Sequence, residues 1–184
     1  MIFVTGDVHD MDMGGPDQAC LRAANRGTEM ECAVRYARLA AEHEIRVTLF
    51  VSGKALRDEP SALAELTENP FVEIGGHTWN SLQPTWKHLL RQRFGGSYYG
   101  SWRSQYRDIT RTRRELEKGT GQRLCSWRTH AYRGDARTNR ILEELGWEPP
   151  TVLRDGMEVT AEWIEEQIRR HREAETTSRF AVPH

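Results

Sequence analysis

The sequence predicts an α/β fold built from strand-helix units on parallel strands. Short apolar runs rich in β-branched residues recur along the 184 residues, and most are followed by a stretch with amphipathic helical spacing. Polar residues also gather where these runs stop: Asp7, His9 and Asp10, then His77, then Arg128 and His130. Such repeats join parallel strands by right-handed crossovers, as an open sheet or a barrel, and both place function at the carboxyl ends of the strands.

The first unit opens with Ile2-Phe3-Val4-Thr5, a buried strand that delivers Gly6-Asp7-Val8-His9-Asp10 at its end. After a loop rich in Gly and Asp, residues from about Glu29 to Glu42 set Val34, Ala37, Ala40 and Ala41 on one face, with Glu31, Arg35, Arg38 and Glu42 mostly opposite, which predicts a helix. Arg46 to Val51 is the second strand, closed by Ser52-Gly53, and Pro60 to Glu68 is a helix with Leu63 and Leu66 inward. The third strand, Phe71-Val72-Glu73-Ile74, ends in Gly75-Gly76-His77. A long aromatic-rich segment follows, then a charged helix from about Tyr106 to Lys118 that Gly119-Thr120-Gly121 terminates. Leu124-Cys125-Ser126-Trp127 is a fourth strand ending at Arg128-Thr129-His130, with a helix from Thr138 to Leu145 after it. Thr151-Val152-Leu153 is a fifth strand, Glu158 to Glu173 a helix, and Arg179 to Val182 a sixth strand. Residues 1–184 read as a single domain without an internal linker.

Composition narrows the function classes. Lys+Arg 26 against Asp+Glu 27 leaves a net charge of -1, which gives no overall field for polyanions, so nucleic acid is not an expected partner. The three cysteines, Cys20, Cys32 and Cys125, are odd in number and lack metal-type spacing, as reduced thiols in a cytoplasmic protein would. No basic stretch with an apolar run behind it precedes Asp7, and no run reaches the ~18 apolar residues of a membrane span.

Parallel strands bring the polar ends together. Asp7 and His9 are two residues apart, so in an extended segment they project to one side, as a base and a metal ligand would need. A lone histidine is more often a hydrogen-bonded structural residue, but several converging strand ends favour a site.

The order of Val4-Thr5-Gly6-Asp7, Val47 to Gly53, Val72 to Thr78, Trp127-Arg128 and Ile141 to Trp147 resembles the polysaccharide deacetylases. A strand ending in phenylalanine and a small residue, followed by one ending in Gly-x-His-Thr, is the most specific part of the match. The resemblance implies a distorted β/α barrel of the polysaccharide deacetylase type; such a barrel commonly takes ~250 residues, so 184 would form either a short or open barrel or one incomplete at the C-terminus. It also implies one catalytic domain that hydrolyses carbon-nitrogen bonds other than peptide bonds, removing acetyl from an N-acetylated sugar or polysaccharide. A divalent metal, zinc in the usual case, would polarise the amide carbonyl and acidify a water. Matched to the family's motifs, Asp7 is the base, His77 a metal ligand and Arg128 the arginine that steadies the aspartate.

The chain departs from that pattern where the metal should be held. Val8 follows Asp7 where the family has a second aspartate, so His9 or Asp10 must substitute as ligand. Ser81 stands where a second histidine is usual, and a hydroxyl is a poor zinc ligand. Thr129, His130 and Ala131 replace the prolines after the arginine, which leaves His130 as a ligand or a general acid. Two other readings therefore stand beside the deacetylase: a noncatalytic carbohydrate-binding barrel that has lost its metal, and a hydrolase of small cytosolic amides. The aromatics Trp79, Trp86, Phe94, Tyr98, Tyr99 and Trp102 either stack on sugar rings or cap the barrel mouth. The basic run from Arg103 to Arg114 reads as a solvated helix face with local charge pairs.

Overall fold

A computed structural model describes residues 4–9, 27–147, 158 and 160–171. The chain divides into two compact units, Met1–Trp147 and Glu148–His184. The first contains a parallel sheet of three strands, β1 (Val4–Val8), β2 (Val47–Val51) and β3 (Val72–Gly76), in the order β1-β2-β3. Among the described residues six α-helices accompany them, α1 (Glu29–Glu42), α2 (Gly53–Asp58), α3 (Pro60–Glu68), α4 (Thr85–Gly95), α5 (Trp102–Thr120) and α6 (Ala136–Glu144), with a 3-10 turn at His130–Tyr132. In the second unit, residues 158 and 160–171 are helical, with Glu166 paired to Arg169 and Arg170 on its surface.

The strands are short and apolar because helices cover them. Val8, Val47, Leu49, Val51 and Ile74 join α1's Met30, Ala33, Val34, Ala37 and Ala40 in one core, to which α3 adds Leu63 and Leu66 and α5 adds Leu116. The buried positions of α1 recur at helical spacing, and its start is fixed by a capping box: the Thr28 hydroxyl accepts from the Glu31 amide at 3.1 Å while the Glu31 carboxylate accepts from the Thr28 amide at 3.0 Å. A second core of Leu82, Tyr99, Ile109 and Ile141 lies between the loop after β3, α5 and α6. Trp127 and Trp147, with ring centroids 5.9 Å apart, pack against both cores.

Several sequence expectations shift by local chemistry. The first strand runs on through Asp7 to Val8 instead of ending at Thr5. Ser52, expected to close the second strand, instead caps α2, its hydroxyl accepting from the Ala55 amide at 3.3 Å. The expected fourth strand contracts to one parallel bridge, Gly76 with Trp127. Within the aromatic segment lies a further helix, α4, closed by Gly96 at φ 68. The expected strands at Thr151–Leu153 and Arg179–Val182 fall outside the described residues. Among the described residues no helix is long and apolar enough to cross a membrane.

Candidate metal centre

Register explains how the site assembles. Asp7, Phe50 and Gly75 lie side by side across the sheet, and Val8, Val51, Gly76 and Trp127 form the next row. One residue further, the Ser52 amide donates to the Val8 carbonyl at 3.0 Å, that of His77 to the Val51 carbonyl at 3.1 Å, and that of Arg128 to the Gly76 carbonyl at 2.9 Å. His9, His77 and Arg128 therefore leave the sheet at one level, its carboxyl edge. Alternation then sets His9 two residues beyond Asp7 and His77 two beyond Gly75 on the same face.

Three histidines meet there. The rings of His9, His77 and His130 stand 5.0, 5.0 and 5.3 Å apart, a nearly equilateral triangle. One nitrogen of each lies within 4.8 Å of the others. The Nδ1 of His77 is 2.8 Å from the Arg128 carbonyl, which can only accept, so the proton sits on Nδ1 and Nε2 keeps its lone pair. That Nε2 is 3.2 Å from Nδ1 of His130. Nδ1 of His9 is 2.9 Å from Oε2 of Glu29, and the same oxygen accepts the His9 amide at 2.7 Å. A carboxylate on Nδ1 likewise turns the Nε2 of His9 into its lone-pair donor.

The electrostatics keep the central ring, His77, neutral. Burial pushes the pKa of His77 down to about 4, aided by the neighbouring His9 and His130 and opposed by Asp7 and the Arg128 carbonyl. His77 therefore carries no charge at neutral pH, the state a metal requires. Three imidazoles suit a divalent cation of borderline softness such as zinc. Donor nitrogens of a tetrahedral site with Zn–N of ~2.1 Å lie about 3.4 Å apart, close to the 3.2 Å between His77 and His130.

Asp7 stands beside the triangle. Its Oδ2 is 3.9 Å from Nε2 of His77, too far for a hydrogen bond, while Oδ1 accepts from Nη1 of Arg128 at 2.9 Å. The second arm of Arg128, Nη2, donates to the Thr5 hydroxyl at 2.8 Å. Its guanidinium carbon lies 4.2 Å from the Phe50 ring centroid. Expected Asp7, His9, His77, Arg128 and His130 are thus brought together, and Asp10 falls outside the described residues. Ser81 is buried, 1% exposed, and its hydroxyl finds no partner among the described residues.

Two contributors escape a reading of the sequence, Glu29 and Thr5. Glu29 looked like an ordinary acidic residue in a helix's first turn, and its contact with His9 spans a separation of 20 that leaves no local signal. The loop that carries the chain away from His77 is strained. Thr78, Ser81 and Leu82 take φ values of 79, 54 and 55, unfavourable for residues with a Cβ. Three bonds hold it: the Gly53 amide to the Thr78 carbonyl at 3.0 Å, the Lys54 amide to the Trp79 carbonyl at 2.7 Å, and the Trp79 amide to Asp108 at 3.2 Å.

Solved structures share this arrangement of strands and helices. A mutant of a CE4 family pseudoenzyme superposes with a TM-score of 0.58 at 15% identity, covering 80% of this chain and 42% of that one. The wild-type CE4 family pseudoenzyme from Bacillus anthracis gives 0.56 at 13% identity over 79% and 41%. A family 4 carbohydrate esterase from Bacillus anthracis gives 0.53 at 16% identity over 79% and 55%. The chain thus spans less than half the length of the first two. No curated protein matches the sequence at a significant level. The sequence model for polysaccharide deacetylase matches residues 27–150, about two thirds of the chain and all of the sheet beyond β1, and on that match the chain belongs to the polysaccharide deacetylase family.

Proposed function

We propose that this chain is a metal-dependent hydrolase that removes acetyl groups from an N-acetylated glycan. The observation that supports it most is the convergence of His9, His77 and His130 beside an aspartate clamped by arginine. His9, His77 and His130 would hold the metal, a set that replaces the family's usual aspartate and second histidine with side chains from other positions. The 3.2 Å approach of His130 to His77 favours a ligand role for His130 over that of a general acid. When bound, the metal polarises the amide carbonyl and lowers the pKa of the attacking water. Asp7 takes that water's proton on Oδ2, the oxygen that Arg128 leaves free. Arg128 aims Asp7, and Glu29 fixes the tautomer of His9.

Metal analysis of the purified protein, with release of acetate from chitooligosaccharides, tests the reading. His77→Ala is expected to lose metal and turnover together, and Asp7→Asn to lose turnover while keeping the metal. Turnover that survives both substitutions would sink the proposal. Small ureido and formamido compounds belong in the same assay, because their preference over acetylated sugars would move the substrate to small amides. A second reading, noncatalytic sugar binding, draws on the buried Ser81 and on the pseudoenzymes among the structural neighbours. Sugar binding with neither metal nor turnover would select it.

A further inference from the structure

Helix α4 is inside out. Of its 11 residues only His88 is buried, with Nδ1 2.8 Å from the Tyr98 carbonyl. Trp86, Leu90 and Phe94, which share a face at four-residue spacing, are 64%, 49% and 81% exposed. Beside them runs a cleft of about 680 Å³ between α4, the start of α5 and Arg137 of α6. A second hollow of about 230 Å³ shares Lys87, Arg91 and Ser104 with it. Arg107 and Arg111 of α5 line that hollow, as does Trp79 from the loop that leaves His77.

Charge in the cleft is one-sided. Lys87, Arg91, Arg107, Arg111 and Arg137 line its two parts. The lining carboxylate, Asp108, is already engaged, accepting the Tyr99 hydroxyl at 2.7 Å and the Trp79 amide at 3.2 Å. Asp135 offsets Arg137 from 3.5 Å away. Lys87, Arg91 and Arg107 make no ion pair among the described residues. Arg111 lies over the Trp79 ring, 3.4 Å from its centroid, a stack that leaves the edge N–H groups of its guanidinium for another partner. The whole chain carries a net charge of -1, so this excess is local to the cleft, where a concave wall focuses the field on anions.

We propose that this cleft binds the acidic groups of an anionic glycan, carboxylate-bearing sugars that flank the N-acetylated residue presented to the histidine triangle. The link to the triangle rests on the deacetylase reading, since Trp79 in the cleft wall is two residues from His77. Guanidinium forks suit carboxylates in pairs of hydrogen bonds, and the exposed rings of Trp86 and Phe94 offer faces on which pyranose rings stack. A membrane surface fits less well, because these cations line a cleft and not a plane.

Titration calorimetry of the intact chain with two N-acetylated hexasaccharides tests this. Hyaluronan hexasaccharide carries a carboxylate on alternate sugars and chitohexaose carries none. The acidic oligomer is expected to bind at least about tenfold more tightly at low salt, with the preference shrinking as salt is added. Arg91→Glu and Arg107→Glu are each expected to remove most of the preference, and the milder Arg91→Gln to act in the same direction if charge reversal disturbs folding. His77→Ala should keep the preference, so a wild-type chain that prefers hyaluronan yet releases no acetate upholds the cleft and overturns only the deacetylase reading. Equal binding of the two hexasaccharides overturns the cleft proposal, as does a preference indifferent to all three arginine variants. Binding to phosphatidylglycerol vesicles that Trp86→Ala and Arg91→Glu abolish, with no preference between oligosaccharides, overturns it in favour of a membrane.

Discussion

Arg128 holds Asp7 across 121 residues of sequence, with Nη1 2.9 Å from the carboxylate and Nη2 2.8 Å from the Thr5 hydroxyl. Thr5 and Asp7 are alternate residues of β1, so one planar fork spans two side chains on the same face of a strand. A lysine would supply the charge without the fork. Arg128→Lys is therefore expected to lower kcat/KM for deacetylation about 100-fold while metal content stays at the wild-type level. Acetate release paired with elemental analysis checks both halves.

Glu29 positions His9, a ligand of the proposed metal. Its Oε2 takes both the ring Nδ1 and the backbone amide of His9, fixing the ring's tautomer and direction together. Glu29→Gln keeps the shape but removes the carboxylate's charge, and zinc affinity is expected to fall about tenfold. Competition with a chromophoric chelator reads this directly, and unchanged affinity would leave Glu29 a structural residue only.

His77 gives the fold a pH dependence of defined sign. Its pKa in the folded chain is pushed down to about 4, by burial first, whereas in the unfolded chain it titrates near 6.5. Below that value the unfolded state takes up a proton that the folded state refuses. The stability contributed by neutral His77 is thus complete above pH 6.5 and is lost as pH falls toward 4. Urea unfolding of the metal-free protein is expected to weaken over this window by at most about 3 kcal/mol, and His77→Gln to flatten the slope.

Gly76 tests the packing beneath the site. A Cβ there would lie 2.4 Å from the Trp127 ring and 2.9 Å from Leu124, so Gly76→Ala forces apart the contact that seats Trp127 on β3. The expected loss is about 1–3 kcal/mol of stability, visible as a lower urea midpoint with an unchanged slope.

Much of this architecture was legible because it is local. The three described strands and the span of α1 follow from runs and periods of a few residues. The convergence of Asp7, His9, His77, Arg128 and His130 follows from placing polar residues at the ends of parallel strands. What was not legible depends on tertiary packing. Helix α4 carries Trp86, Leu90 and Phe94 at helical spacing, but they face solvent while a histidine faces inward, so its polarity contradicts the usual rule. The fourth strand shrank to a bridge because Leu124 and Trp127 turn into the cores while only Trp127 pairs with β3.

That bridge has a kinetic consequence. The Gly76 amide bonds to the Ser126 carbonyl at 3.0 Å and its own carbonyl takes the Arg128 amide at 2.9 Å, so two hydrogen bonds dock the segment that carries Arg128 and His130. Local opening of this pair detaches one side of the triangle while β1, β2 and β3 stay zipped. The amide protons of Gly76 and Arg128 should then exchange with deuterium faster than those of Leu49 and Val51. A ligand spanning His9, His77 and His130 would slow those two amides first, making them a clock for assembly of the centre.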